Sequence, residues 1–258
     1  VTVSEPAAEK TRPRSPLTLV FLGTLTLLLF AAFIALGTWQ IERRAWKLDL
    51  IARTNERVAA PAASLPPPSD WPAVTAERDA YRHVRASGAF LNDRETLVQA
   101  VTEKGSGFWV LTPLQTADGT TVLINRGFVP PERRDPATRA QGQIAGPVTV
   151  TGLLRVTEPK GAFLRSNDPK GDRWYSRDVA AIATSRGLDR VAPFFIDADA
   201  TPNPGGYPVG GLTVIAFHNS HLVYVFTWYA LALMVVGAAF YVVRDERRLR
   251  RGAEPGRS

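Results

Sequence analysis

The sequence predicts two transmembrane α-helices flanking a β-rich (α+β) extramembrane domain. Three observations predict it. An uncharged run extends from Leu17 to Ile41, and no Asp, Glu, Lys or Arg occurs between Asp199 and Arg244. Inside that second interval Leu222 to Val243 supplies the ~20 consecutive apolar residues that a bilayer core requires. Between the two runs lie short alternating segments separated by Gly and Pro, the pattern of strands and turns rather than of long helices.

The first segment, residues 1–16, precedes the first span and is expected on the cytoplasmic side. The span itself, residues 17–41, is longer than the ~7–15 residues of a signal-peptide core. It passes through Gly37-Thr38-Trp39-Gln40 into Glu42-Arg43-Arg44-Ala45-Trp46-Lys47 without a small-residue cleavage pattern, so it is expected to stay as an anchor. Residues 42–72 form a helix extension and a Pro-rich linker. Trp39, Arg43, Trp46, Lys47 and Leu50 recur at helical spacing, which carries the helix to about Arg57, and Pro61, Pro66, Pro67, Pro68 and Pro72 then stiffen an extended stretch.

Residues 73–217 read as the β-rich exported domain. Strands are predicted at Val84–Phe90, Thr96–Val101, Phe108–Leu114, Thr120–Asn125, Val148–Val156, Pro193–Ile196 and Leu212–Phe217. Asp118-Gly119 marks a hairpin between the third and fourth of these. One short helix is predicted from Ser176 to Arg186, closed by Gly187. Pro202–Gly211 reads as a Gly/Pro loop, and Asp197 and Asp199 as a solvent-exposed pair near a turn. Residues 218–243 form the second span with a histidine at its outer end, and 244–258 a basic tail.

Charge sets the orientation. Lys10, Arg12 and Arg14 balance Arg43, Arg44 and Lys47 around the first span, but Arg244, Arg247, Arg248, Arg250 and Arg251 crowd the far end of the second. The positive-inside rule then makes both termini cytoplasmic and the central domain periplasmic, in a multi-pass protein of a bacterial inner (plasma) membrane. Membrane lipid is thus an expected partner. The net charge of +7 does not indicate nucleic acid, because topology accounts for the densest basic cluster.

Composition narrows the chemistry. There is no cysteine, so disulfides, thiolate metal sites and thiol redox chemistry are excluded. The one methionine, Met234, lies in the second span, and the three histidines are His83, His218 and His221. Copper carriage by Cys or Met and a four-ligand structural zinc site have no residues to use. A Ser-His-Asp arrangement would have to use His83, which no nucleophile motif accompanies. Gly205-Gly206 and Gly210-Gly211 lack the strand-before, helix-after context of a phosphate loop. No enzyme constellation emerges.

The remaining signal is at the mouth of the second span. His221, Tyr224 and Trp228 fall at i, i+3 and i+7 and share a helical face. A neutral imidazole there, backed by aromatic rings, suits an axial ligand of a planar iron cofactor such as heme. An interfacial histidine within an aromatic belt is the other reading. Counting helical rise from the opposite ends of the two spans puts Trp39 and His221 at a similar depth.

Four stretches resemble the SURF1 (Shy1) family of cytochrome c oxidase assembly proteins. They are Leu36-Gly37-Thr38-Trp39-Gln40-Ile41-Glu42-Arg43-Arg44-Ala45-Trp46-Lys47, Tyr81 to Phe90, Val122-Leu123-Ile124-Asn125-Arg126-Gly127-Phe128-Val129-Pro130, and Asn219 to Tyr224 with Thr227-Trp228-Tyr229. The resemblance implies an assembly factor, not an enzyme, that binds heme a and aids its delivery to, or insertion into, the catalytic subunit of heme-copper cytochrome c oxidase. His221 would then ligate the heme iron, with Tyr224, Trp228 and Trp39 around the cofactor and His218 as a second candidate ligand. Oxidase subunit I and heme A synthase are the partners so implied. The chain departs from the family where Phe217-His218 stands in place of the usual Arg-Asn type pair. A membrane scaffold that stabilises an oxidase subunit without cofactor is the alternative.

Overall fold

The computed structural model describes residues 13–159, 161–162, 164–215 and 220–253. In chain order the elements are α1 (Pro16–Ala59), β1 (Ala63–Ser64), α2 (Ala76–Asp79), β2 (His83–Phe90), β3 (Thr96–Thr102), β4 (Gly105–Thr116), β5 (Thr121–Val129), β6 (Pro147–Val156), α3 (Val179–Ser185), β7 (Val191–Ala198) and α4 (His221–Ala253). They divide into two units, one made of residues up to Leu50 together with those from Phe217 on, the other of Ile51–Ala216.

The first unit is a hairpin of two antiparallel helices. α1 and α4 are both long and apolar enough to cross a membrane. Their outer surfaces leave Leu17 80 %, Phe226 68 % and Leu233 71 % exposed. An apolar surface of that extent has no stable place in water, whereas lipid accepts it. The inward stripe steps by threes and fours, with one step of seven on α1: Leu19, Leu22, Thr26, Phe33, Gly37 and Gln40 on α1, and His221, Val225, Trp228, Ala232, Val235, Ala239, Val242 and Glu246 on α4. That is the spacing of a packed helical seam.

Contacts fix the register of the pair. Phe33 stacks on Trp228 with ring centroids 5.8 Å apart. Gly37 faces Tyr229 so closely that a Cβ there would lie 2.9 Å from the ring. At one end the Arg14 backbone N–H donates to Glu246 (3.1 Å) and its guanidinium to Asp245 (3.0 Å). At the other end Gln40 meets His221.

The second unit closes most of its sheet on itself. The order β1-β2-β6-β7-β5-β4-β3, with an extra β2–β4 pairing, makes a five-stranded barrel-like ring of β2, β6, β7, β5 and β4. β3 extends it as a hairpin arm and β1 pairs parallel to β2. Only β5 and β7 run parallel within the ring. β5 is buried along its whole length, and its side chains divide by strand alternation. Val122 and Ile124 join Val84, Leu114, Leu154, Phe194 and Ile196 in one core, while Leu123 joins Val98, Leu111, Trp174 and Phe195 in a second. α3 caps that second core with Val179 and Ile182.

Several predicted elements differ in detail. β5 runs four residues past Asn125 because Phe128 and Val129 continue the pairing with β4. α3 starts at Val179 with Asp178 as its cap, its carboxylate accepting from the Ala181 N–H at 3.1 Å. Ser176, where the predicted helix began, lies outside it and accepts from the Gly161 N–H and Asn167. The Pro-rich linker carries β1 and a 3-10 turn over Pro68–Ala73. Leu212 to Ile215 forms no strand, and the remainder of that predicted strand, with Phe217, lies outside the described residues. His218 lies outside them as well.

Candidate functional site

His221 is the first residue of α4, and its Nδ1 lies 2.7 Å from Gln40 Oε1 on α1. With the amide oxygen facing the ring, Nδ1 is the donor, and in the neutral imidazole that leaves the lone pair on Nε2. A second-sphere acceptor on one nitrogen is the arrangement that orients a histidine for metal ligation through the other. Gln40 is itself buried, so the amide is held rather than free to rotate into solvent. Counting from Glu246 to His221 at about 1.5 Å per residue places the pair roughly 38 Å from the Arg14–Glu246 contact. That is the distance between the two interfacial zones of a bilayer.

The other predicted site residues divide. Trp228 lies on the same stripe as His221 but is committed to the seam against Phe33, and its indole Nε1 is buried with no hydrogen-bond partner among the described residues. Tyr224 is 49 % and Trp39 53 % exposed, so both face outward from the hairpin. The structure thus joins His221 to the residue beside Trp39, and gives Trp228 a packing role. Gln40 was not singled out by sequence; only its place in the Trp39-Gln40 pair at the end of an uncharged run could have drawn attention to it. His83 Nδ1 lies 2.8 Å from the Ala60 carbonyl, a contact that ties β2 to the end of α1.

A second concentration of polar side chains lies in the barrel, around the Asn125-Arg126-Gly127 triplet of β5. Asn125 donates to Asp197 (2.7 Å) and accepts from the Gly127 N–H (3.2 Å). Gly127 has φ +125°, and a Cβ would fall 2.0 Å from the Val209 carbonyl oxygen, so no other residue fits without displacing backbone. Arg126 is buried, donates from Nη2 to Asn203 Oδ1 (2.9 Å) and to the Gly142 carbonyl, and lies 4.6 Å from the Phe90 ring centroid. Burial pulls its pKa down to about 10, against a raising influence from Glu95 and a lowering one from Arg139.

Asp197 overturns the expectation of an exposed carboxylate. It is buried at the β7 end and accepts from Arg155 (2.8 Å), Arg177 (3.0 Å), Thr213 (3.0 Å) and Asn125. Arg177 is held above its ordinary pKa even though burial opposes its charge, because Asp197 and Glu158 outweigh that penalty. Side-chain pairing across strands decided this, and neighbouring sequence carries no trace of it.

Two helices long and apolar enough to cross a membrane, joined by a histidine–glutamine pair and with a closed β unit between them in sequence, define a two-span membrane protein. The model of the SURF1 family matches residues 27–233. Surfeit locus protein 1 of Rattus norvegicus is 39 % identical over 227 residues, covering 82 % of this chain and 72 % of the relative. The Homo sapiens protein of the same name is 38 % identical over 229 residues (82 % and 74 %), and a SURF1-like protein of Drosophila melanogaster is 33 % identical over 230 (82 % and 74 %). The chain belongs to the SURF1 family. Membership implies a role in cytochrome c oxidase assembly.

Proposed function

We propose that the protein binds heme a through His221 and aids its delivery to, or insertion into, the catalytic subunit of cytochrome c oxidase, without itself catalysing a reaction. The observation that carries the reading is the Gln40–His221 hydrogen bond, which presets one imidazole nitrogen as a donor and leaves the other for iron. A bound heme would supply an iron centre, and His221 would hold it. Tyr224 and Trp39, both about half exposed, offer ring surface. Oxidase subunit I and heme A synthase are the proposed partners. The proposed setting is a bacterial inner membrane, with both termini cytoplasmic and the β unit periplasmic.

The test is the visible spectrum of the purified full chain from cells that make heme a. The parent should copurify with heme, and His221→Ala, with His218 kept, should lose it while still inserting in the membrane. Gln40→Leu should weaken heme retention by about 10–100-fold, the usual effect of removing a second-sphere partner. Full retention by His221→Ala would transfer the ligand role to His218. A parent without heme, and no effect of either histidine on oxidase yield, would leave a scaffold that steadies an oxidase subunit.

A further inference from the structure

At the Arg14–Glu246 end of the helical hairpin, a groove of about 500 Å³ runs between the two helices. Its walls are Leu19, Gly23 and Thr26 of α1 and Ala238, Ala239 and Val242 of α4. A Cβ on Gly23 would meet nothing within 4 Å, so open space lies in front of that residue. From Thr26 to Leu19 the groove follows about 10 Å of helix and ends at Glu246, Arg247 and Arg250. A second hollow of about 300 Å³ is lined by Phe240, Val243, Arg244, Arg247, Arg248 and Arg251. Val243 and Arg247 line both, so the two meet at Arg247. The carboxylates at this end are already matched. Glu246, 6 % exposed, accepts from the Arg14 N–H (3.1 Å) and from Arg250 Nε (2.7 Å), and Asp245 accepts from the Arg14 guanidinium (3.0 Å). Arg244, Arg247, Arg248 and Arg251 are exposed, and none has a carboxylate partner among the described residues.

Topology asks only that cations gather at one end of α4; it does not ask for an apolar groove that opens onto them. The apolar run stops at Val243 and the arginines begin at Arg244, which sets them at the level of lipid headgroups. Unmatched guanidinium groups at the mouth of a lipid-facing groove complement an amphiphile with a negative head, and the arginine fork fits two phosphate oxygens. We propose that this end of the hairpin is a binding site for an anionic phospholipid, with its phosphate at Arg247 and one acyl chain in the groove against Gly23 and Ala239. The second hollow surrounds the rest of the headgroup with Arg244, Arg248 and Arg251. A zwitterionic lipid would fill the groove as well but would leave the arginines without net negative charge. The site lies at the opposite end of the hairpin from His221, and the reading depends neither on heme binding nor on which side of the membrane this end faces.

The experiment is native mass spectrometry of the full chain in a non-ionic detergent, titrated with dioleoyl phosphatidylglycerol or dioleoyl phosphatidylcholine. One phosphatidylglycerol should stay bound, about tenfold more tightly than phosphatidylcholine with the same chains. Arg247→Gln should weaken phosphatidylglycerol binding by about fivefold, and Arg247→Lys, which keeps the charge but not the fork, by less. Arg43→Gln removes the same charge at the other end of the α1 span and should leave binding as it was. Gly23→Leu puts a side chain into the open groove and should release the lipid, while its thermal melt stays at or above the parent's because leucine favours the helix. Ala238→Leu fills the groove from α4 and should do the same. Equal retention of the two lipids, equal losses in Arg43→Gln and Arg247→Gln, or parent-like binding in both groove-filling variants would overturn the proposal. Displacement of the lipid by equimolar inorganic phosphate would overturn it too, since the groove would then contribute nothing.

Discussion

Replacing Asp197 by alanine should be one of the most damaging single changes in the β unit. The carboxylate is 3 % exposed and is shared by Arg155, Arg177, Asn125 and Thr213. Removing one partner of a buried charge pair costs about 3–5 kcal/mol, because the other charge is left without compensation. Here Glu158 still holds Arg177 (2.6 Å) and Arg155 (3.3 Å), which argues for the lower end, about 3 kcal/mol. In a domain of this size each kcal/mol shifts the midpoint by about 2–4 °C, so Tm should fall by roughly 6–12 °C. Asp199→Ala is the internal comparison, since it removes one loop hydrogen bond and should cost about 1 kcal/mol or less. The assay is a thermal melt of the detergent-solubilised protein followed by tryptophan fluorescence, to which the buried Trp174 contributes. Equal Tm values for the two variants would refute the claim that Asp197 is a structural centre.

Gly127→Ala should lower the melt of the β unit by more than the ~1 kcal/mol of a tolerated glycine change, since φ +125° and a 2.0 Å approach to the Val209 oxygen both oppose a Cβ; a parent-like Tm would contradict this. Asp118 accepts from the Thr116 and Thr120 hydroxyls and the Thr120 N–H, and its pKa is lowered to about 2. A depressed carboxylate contributes stability that is present above its unfolded value near ~3.9 and lost as pH falls towards about 2. The stability gap between the parent and Asp118→Asn should therefore be present at about pH 5 and close between about pH 4 and 2; a gap constant with pH would exclude the assignment. For topology, a reporter active only when exported should be silent at the C-terminus and active when inserted near Asp118, and the reverse pattern would invert the proposed orientation.

The spans were legible because lipid imposes a composition that no water-facing segment shares, so Leu17–Ile41 and Leu222–Val243 could be read without knowing what they touch. The ring strands were legible for a similar local reason: alternation and the Asp118-Gly119 turn are properties of neighbouring residues. What escaped the sequence depends on distant partners. The stretch from Thr157 to Tyr175 gave no periodic signal, yet it delivers Trp174 to the second core, where its carbonyl accepts from the Gln99 N–H at 2.9 Å. Leu212–Ile215 alternates like a strand but pairs with nothing as one, because the ring of β2, β6, β7, β5 and β4 is already closed. Asp197 and Asp199 share a local context and differ only in what other strands bring to them. Gln40 acquires its role from a residue 181 positions away.

That long-range pair makes the state of His221 a property of the whole helical hairpin. The seam positions of α1 and α4 recur mostly at threes and fours, so sliding one helix by a turn would still bury a largely apolar stripe. A shift of about 5.4 Å would nevertheless carry Gln40 away from the imidazole. Spacing alone therefore does not hold the site; the specific contacts do. Gly37 admits the Tyr229 ring at only one level, Phe33 stacks on Trp228, and the Arg14 contacts with Asp245 and Glu246 anchor the opposite end. Because these contacts lie at different depths, loosening one of them should leave the others pairing the spans while Gln40 shifts from the imidazole. The imidazole would then lose its fixed tautomer while the protein stayed inserted. The orientation of the His221 ring is thus set by helix packing, and changes far from His221 should be read first through that bond.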